Sequence, residues 1–300
     1  MSNWTTFTIP FIEVFQKFRK FNYYPVESLF KALGKIHLAT VQYRYWYVSC
    51  NNYIMRKIAI SIQKGGSGKT TTVYNLAAEL AAAGQHVITL DLDAQATLTS
   101  YANVPAAGTM ADVFNGSHTL REIITTTGSG FDLAPGSIDL TMSELTLTAR
   151  IGRENVLKKA LQSIETLYDI AIIDTPPALG LLTINSLAAA DYVLSTLQPQ
   201  AADVWSLQLF LQTIAQVKEE INPGLKFVGV ILTFYDSRLK LHQQAVNEIS
   251  AAGIPIIGTI ARSVRIAEAA GEYKALRDYD PRNPQNEAYQ RIAKEVSLWQ

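Results

Sequence analysis

Short apolar runs alternate with longer amphipathic segments along most of this chain. The first run, Ile58 to Ile62, leads into a glycine-rich loop and then into an amphipathic segment that ends at Gly84. Later runs with the character of buried strands lie at residues 86–90, 170–173, 191–197, 226–233 and 254–260, and helices are predicted near 71–83, 109–114, 153–167, 204–220, 240–252 and 286–299. This alternation predicts an α/β fold, a doubly wound and mostly parallel sheet flanked by helices.

The composition narrows the class of protein. The chain has 300 residues and is 48% hydrophobic, enough for one large α/β domain with an appendage. Its 26 basic and 26 acidic side chains cancel, so any affinity for nucleic acid must come from a local patch. Cys50 is the single cysteine, and no run of 18 apolar residues occurs. We therefore expect a soluble, cytoplasmic protein.

The loop after the first apolar run has the composition of a phosphate cradle. Glycines let backbone N–H groups turn inward, and the helix that follows aims its positive dipole end at the same anion. Lys69 supplies a charge for the β- and γ-phosphates, and the Thr70 hydroxyl is the expected ligand of Mg²⁺. We predict that ATP is bound by Lys64, Gly65, Gly66, Ser67, Gly68, Lys69, Thr70 and Thr71.

The loop departs from ordinary P-loop spacing in one respect. Gln63 stands where the first glycine belongs, and a second lysine, Lys64, follows it. This deviant Walker A pattern resembles that of the ParA/MinD group of P-loop ATPases. The resemblance implies that Lys64 reaches across a nucleotide-sandwich dimer to the partner's phosphates, so that ATP binding and dimerisation become one event. The alternative is a solvated loop lysine.

Carboxylates follow two of the predicted strands. Asp91 and Asp93 come at the end of the second strand, where an open α/β sheet binds its ligand. By resemblance to the family segment Asp-x-Asp-Pro-Gln, Asp93 orients the attacking water near Mg²⁺, although Ala94 replaces the proline; a simple helix cap is the alternative. Asp174 ends an apolar strand in the Walker B arrangement and is expected to hold Mg²⁺ through water. The sequence Asp-Thr-Pro-Pro is typical of ParA-like members.

Two arginines match positions at which short ParA proteins contact DNA. Arg238 lies in a segment that resembles Leu-Thr-Met-Tyr-Asp-x-Arg, and Arg265 lies in one that resembles Ile-Pro-Arg-Asn-Val-Arg. Ala261 and Ala269 replace prolines of the second pattern. The resemblance implies contacts to phosphates, which give sequence-independent and salt-sensitive binding. Solvated surface arginines are the alternative.

Residues 1–54 differ from the rest of the chain. They are rich in aromatic side chains and carry six basic against two acidic groups, a net charge of +4, which leaves −4 for the remainder. Residues 11–21 form a basic amphipathic pattern that a membrane anchor or a docking helix would share. Because Met55 directly precedes the first strand, where short family members begin, we expect translation to start there and residues 55–300 to form the ATPase domain.

The resemblance covers roughly residues 57–296 and predicts a short ParA/Soj-like ATPase with ATP and Mg²⁺ as cofactors. It implies a homodimer, non-specific double-stranded DNA and a ParB-like adaptor as partners, association with the nucleoid, and partitioning of a plasmid or chromosome. An orphan ParA-like ATPase that positions a protein cargo is the alternative. A MinD-like membrane-cycling ATPase is less favoured, and the lone cysteine nearly excludes an iron–sulfur scaffold.

Overall fold

A computed structural model describes residues 55–299 of the protein. The predictions for residues 1–54, including the basic amphipathic helix at 11–21, lie outside the described residues. Within the described range, no helix is both long enough and apolar enough to cross a bilayer.

A single sheet of eight strands forms the centre of the described part. Its spatial order is β3-β4-β2-β5-β1-β6-β7-β8, and all strands are parallel except the short edge strand β3, which runs antiparallel to β4. The predicted mostly parallel sheet is therefore confirmed. The strands are β1 (Arg56–Ile60), β2 (Val87–Asp91), β3 (Thr125–Thr126), β4 (Asp132–Ala134), β5 (Ile170–Asp174), β6 (Tyr192–Leu197), β7 (Lys226–Tyr235) and β8 (Ile256–Ala261).

Helices cover both faces of the sheet, because the central strands carry apolar side chains on both sides. Ile58 and Ile60 of β1 pack with α1 and α12, whereas Ala59 between them faces α8 on the other side. The helices are α1 (Lys69–Ala82), α2 (Thr97–Ala102), α3 (Met110–Asn115), α4 (Leu120–Ile123), α5 (Leu140–Leu147), α6 (Val156–Gln162), α7 (Leu181–Ala189), α8 (Ala201–Glu220), α9 (Lys240–Ala251), α10 (Val264–Gly271), α11 (Leu276–Tyr279) and α12 (Pro284–Ser297).

The helices depart from the sequence prediction in two ways. The predicted helix 153–167 is shorter: a 3₁₀ turn at Arg153–Asn155 precedes α6, which ends at Gln162. Helix α7 is missing from the prediction because Leu182, Leu187 and most of its other residues are buried. A helix that is buried on most sides lacks the polar stripe by which an amphipathic helix is recognised.

The parallel arrangement places several loops at one edge of the sheet. Strand β1 lies between β5 and β6, and β2 lies on the other side of β5. The loops that follow β1, β2, β5, β6, β7 and β8 therefore all open at the carboxyl edge, which is where open α/β sheets bind ligands.

Candidate nucleotide-binding site

The glycine-rich loop joins the end of β1 to the start of α1. Gly66 and Gly68 have φ angles of 70° and 84°, in the left-handed region that glycine adopts readily. A side-chain carbon added at Gly68 would also lie 3.2 Å from Cγ2 of Thr233. Because α1 begins at Lys69, its first unpaired N–H groups lie at the loop.

Side chains from the neighbouring strands hold this loop in place. The Ser67 hydroxyl lies 3.0 Å from the hydroxyl of Thr196 on β6, and Thr233 on β7 donates to the Ser67 carbonyl oxygen at 2.8 Å. Gln198, just after β6, donates to the carbonyl oxygen of Gly66 at 2.8 Å. Ser67 thus has a hydrogen-bonding role in this chain.

Lys69 lies inside the loop. Its side chain is largely buried, and its ammonium group donates to the carbonyl oxygen of Lys64 at 2.9 Å. Burial lowers the pKa of Lys69, while the charges of Asp174 and Asp93 act in the opposite direction. The structure therefore brings these three predicted residues close enough to interact electrostatically.

Asp174 ends β5 opposite the loop and is fully buried, yet neither of its carboxylate oxygens has a hydrogen-bond partner among the described residues. Burial raises the pKa of Asp174 well above its usual range, and the charge of Asp91 adds to the rise; the Thr70 hydroxyl and Lys69 oppose it. An unpartnered buried carboxylate is costly unless a ligand completes it.

Asp91 and Asp93 lie in different environments. Asp91 is the register partner of Asp174 in the sheet and is also fully buried. Its carboxylate accepts hydrogen bonds from the backbone N–H and hydroxyl of Thr99 at 2.9 and 2.7 Å, and burial raises its pKa to about 6. Asp93 is half-buried at the rim and accepts the N–H of Gln95 at 3.0 Å.

Sequence reasoning assigned the chemistry to Asp93 and gave Asp91 no role of its own. The i, i+2 spacing identifies both acids, but it cannot show that one is enclosed beside Asp174. Helix α2 begins after Ala96 without a side-chain cap, so the alternative of Asp93 as the helix cap does not describe this turn.

These residues fit the MgATP that the sequence motif implies. The loop offers a glycine cradle and an ammonium group, and the unpartnered carboxylate of Asp174 with the Thr70 hydroxyl offers oxygen ligands of the type that Mg²⁺ prefers. The described residues contain no group of three or more metal-binding His, Cys, Asp or Glu side chains. Mg²⁺ usually binds through one or two carboxylates and the substrate's phosphates, so such a group is not required.

Lys64 is not solvated. Its ammonium group forms an ion pair with Asp203, whose side chain is fully buried in the first turn of α8. The other oxygen of Asp203 accepts the backbone N–H of Gln198 at 3.1 Å. Sequence analysis missed Asp203, because nothing in its local sequence connects it to a lysine 139 positions away.

The two predicted DNA-contacting arginines follow the ends of neighbouring strands, β7 and β8. Arg238 is largely exposed and forms a bidentate contact with Asp236, with nitrogen–oxygen distances of 2.9 and 2.7 Å. Arg265 on α10 lies 2.8 Å from Glu268 and 3.5 Å from Asp280. Both guanidinium groups are therefore at the surface, and each has an acidic partner.

The comparisons with known proteins agree with this geometry. The family described as an AAA domain (AAA_31) matches residues 55–227. The sporulation initiation inhibitor protein Soj of Bacillus subtilis is 38% identical over 80% of this chain and 97% of its own length, and the chromosome-partitioning ATPase Soj of Treponema pallidum is 35% identical over 78% and 94%.

Among solved structures, cobyrinic acid a,c-diamide synthase from Mycobacterium smegmatis with bound ADP and magnesium superposes with a TM-score of 0.71. It is 32% identical and is matched over 81% of this chain and 94% of its own. Family match, sequence relatives and fold agree: the chain belongs to the ParA/MinD superfamily of partitioning ATPases.

Proposed function

We propose that this protein is an ATPase that dimerises around MgATP, binds DNA without sequence preference, and partitions a plasmid or chromosome together with a ParB-like partner. One observation carries the ATPase part: the buried carboxylate of Asp174 has no hydrogen-bond partner and lies beside Lys69 at the glycine loop. Nucleotide-bound relatives of the same fold support it.

The catalytic roles follow from charge and position. Lys69 neutralises the β- and γ-phosphates, and the loop N–H groups with the start of α1 orient them. Mg²⁺, held by the Thr70 hydroxyl and by Asp174 through water, supplies positive charge to the same oxygens. Asp93, at the rim beside Lys69, orients the attacking water. Such a site acts by positioning and charge neutralisation, and we expect slow hydrolysis that the ParB-like partner stimulates.

Dimerisation is proposed to exchange the partner of Lys64. In the single subunit its ammonium group pairs with Asp203, which keeps it at the surface next to the loop. To reach phosphates bound to a second subunit, Lys64 must leave Asp203. Binding of ATP by two subunits provides the new anionic partner, so the exchange ties the dimer to the triphosphate.

DNA binding is assigned to Arg238 and Arg265. Both are exposed at the carboxyl edge of neighbouring strands, and their contacts would be to phosphates. Their acidic partners are at least partly exposed as well, so these pairs are worth little, and a phosphate can displace the carboxylate at small cost.

Binding to a duplex of arbitrary sequence, measured with MgATP, with MgADP and without nucleotide at low and moderate salt, tests this proposal. We expect ATP-dependent, salt-sensitive binding that Arg238→Ala/Arg265→Ala abolishes. Arg121→Ala is the matched control, since this exposed arginine lies on α4, next to β3 at the opposite edge of the sheet. Absence of DNA binding in every nucleotide state would contradict the DNA-dependent function and favour a protein cargo.

A further inference from the structure

A cavity of about 150 Å³ adjoins the glycine loop on the side formed by β7, β8 and α10. Gly68 and Thr71 line one wall, and Ile266 and Ala267 of α10 line another. The metal-side acids Asp93 and Asp174 do not line it. A nucleotide whose phosphates occupy the loop with their metal toward Asp174 therefore has its nucleoside directed towards this cavity.

The lining favours an uncharged ring. Among the described residues that line the cavity, none is charged and none carries a side-chain amide; the polar ones are hydroxyl-bearing residues such as Thr71, Thr233 and Ser263. Sites of this kind hold flat, mostly apolar ligands by packing and use few polar groups for orientation.

Phe234 lines the cavity in an unusual backbone conformation. Its φ is 53°, in the left-handed region, where a bulky side chain costs about 1–3 kcal/mol. The register of β7 against β8 shifts between Leu232 and Tyr235, so Phe234 occupies an irregularity at the end of the strand. Such irregularities commonly re-aim a side chain next to an active site. The side chain is 42% exposed.

Tyr273 provides the comparison. It is also an aromatic residue with positive φ, but it directly follows α10, and its N–H donates to the carbonyl oxygen of Ala270 at 3.2 Å. Termination of the helix accounts for the conformation of Tyr273. Phe234 lies at a strand end instead, and the result of its strained conformation is an aromatic residue at the cavity.

We propose that Phe234 is the platform on which the nucleobase of the bound nucleotide stacks, and that the irregular end of β7 holds it there. This inference rests on the proposed binding of ATP. Stacking acts on the base alone, so Phe234 is expected to contribute to the affinity for ATP and not to the affinity for a bare triphosphate.

Calorimetric binding of MgATP and of magnesium tripolyphosphate to wild type, Phe234→Ala, Phe234→Gly and Tyr273→Ala tests the assignment. Both Phe234 variants should bind MgATP about tenfold or more weakly, as expected for loss of one stacked base, with tripolyphosphate affinity unchanged. Phe234→Gly should also unfold at the same or a higher temperature, because glycine tolerates the positive φ, which separates loss of stacking from loss of folding. Tyr273→Ala should bind both ligands like wild type.

Two results would overturn the assignment: wild-type ATP affinity in both Phe234 variants, or an equal loss of affinity for ATP and tripolyphosphate. A wild-type protein that bound neither ligand would overturn the proposed ATPase function, and this inference with it.

Discussion

The carboxylate of Asp203 at the start of α8 forms an ion pair with the ammonium group of Lys64 in the glycine loop of the same subunit. Lys64→Ala therefore does more than remove a residue proposed to act across a dimer. It leaves a buried carboxylate whose remaining partner is one N–H group, from Gln198. We expect this variant to lose about 2 kcal/mol of unfolding free energy, measured by denaturant titration without nucleotide.

Asp203→Asn separates the two roles of Lys64. The amide is neutral, so the double variant Lys64→Ala/Asp203→Asn should recover most of the lost stability while still failing to dimerise with ATP. If Lys64→Ala alone is as stable as wild type, the ion pair makes no net contribution.

Removal of Lys69 and removal of Asp93 should have different effects. Lys69→Ala removes the buried charge inside the phosphate loop, and we expect ATP affinity to fall at least about 100-fold. Asp93→Ala should keep ATP affinity, stop hydrolysis and accumulate the ATP-bound dimer. Equilibrium binding, phosphate release and size-exclusion chromatography with MgATP distinguish the two. Wild-type turnover by Asp93→Ala would remove this residue from the catalytic assignment.

Ser67 should be tied to Thr196 through their hydroxyl contact. Replacement by valine leaves the buried Thr196 hydroxyl without that partner, so Ser67→Val should lower the unfolding free energy by about 1–3 kcal/mol. Adding Thr196→Val removes the orphaned hydroxyl and should restore most of this loss. Equal stability of Ser67→Val and wild type would show that the hydroxyl finds another partner.

Ala96, which precedes α2, has a φ of 49°. Because alanine is strained in the left-handed region, Ala96→Gly should stabilise the protein by about 0.5–1 kcal/mol. Ala94→Gly, two residues earlier and without positive φ, is the control and should not stabilise it. Thermal unfolding of both variants gives the comparison, and equal effects would argue against local strain at Ala96.

Asp112 should contribute stability in a pH-dependent way. It accepts hydrogen bonds from the backbone N–H and hydroxyl of Thr109 at the start of α3, and the backbone bond holds the pKa of Asp112 below its ordinary value. This contribution is present above the ordinary pKa of aspartate, about 3.9, and is lost as the pH falls through the lower folded-state value. The stability difference between wild type and Asp112→Asn should therefore shrink in acid; a constant difference would contradict it.

The sequence was most informative where chemistry depends on neighbouring residues. The loop from Lys64 to Thr71 and the strand-end acids Asp93 and Asp174 are read from local patterns, because a strand that ends at the sheet edge delivers its last side chains there. The fold class followed from the alternation of strands and helices.

What the sequence could not supply depends on contacts between distant segments. Asp203 meets Lys64 only because the loops after β1 and β6 open beside each other, and Asp91 is buried only because Thr99 of α2 folds over it. The conformation of Phe234 depends on the pairing of β7 with β8, for which its own neighbours in sequence give no signal.

Helix α10 has Ile266 and Ala267 at the cavity and Arg265 at the surface, so one short helix adjoins both the nucleotide and the proposed DNA face. Binding free energies are reciprocal: any factor by which ATP tightens DNA binding is the factor by which DNA tightens ATP binding. DNA would then act as an effector that lowers the ATP concentration needed for half-saturation. The state of the nucleotide would be set locally, by whether the protein is on DNA, as well as by the ATP supply of the cell.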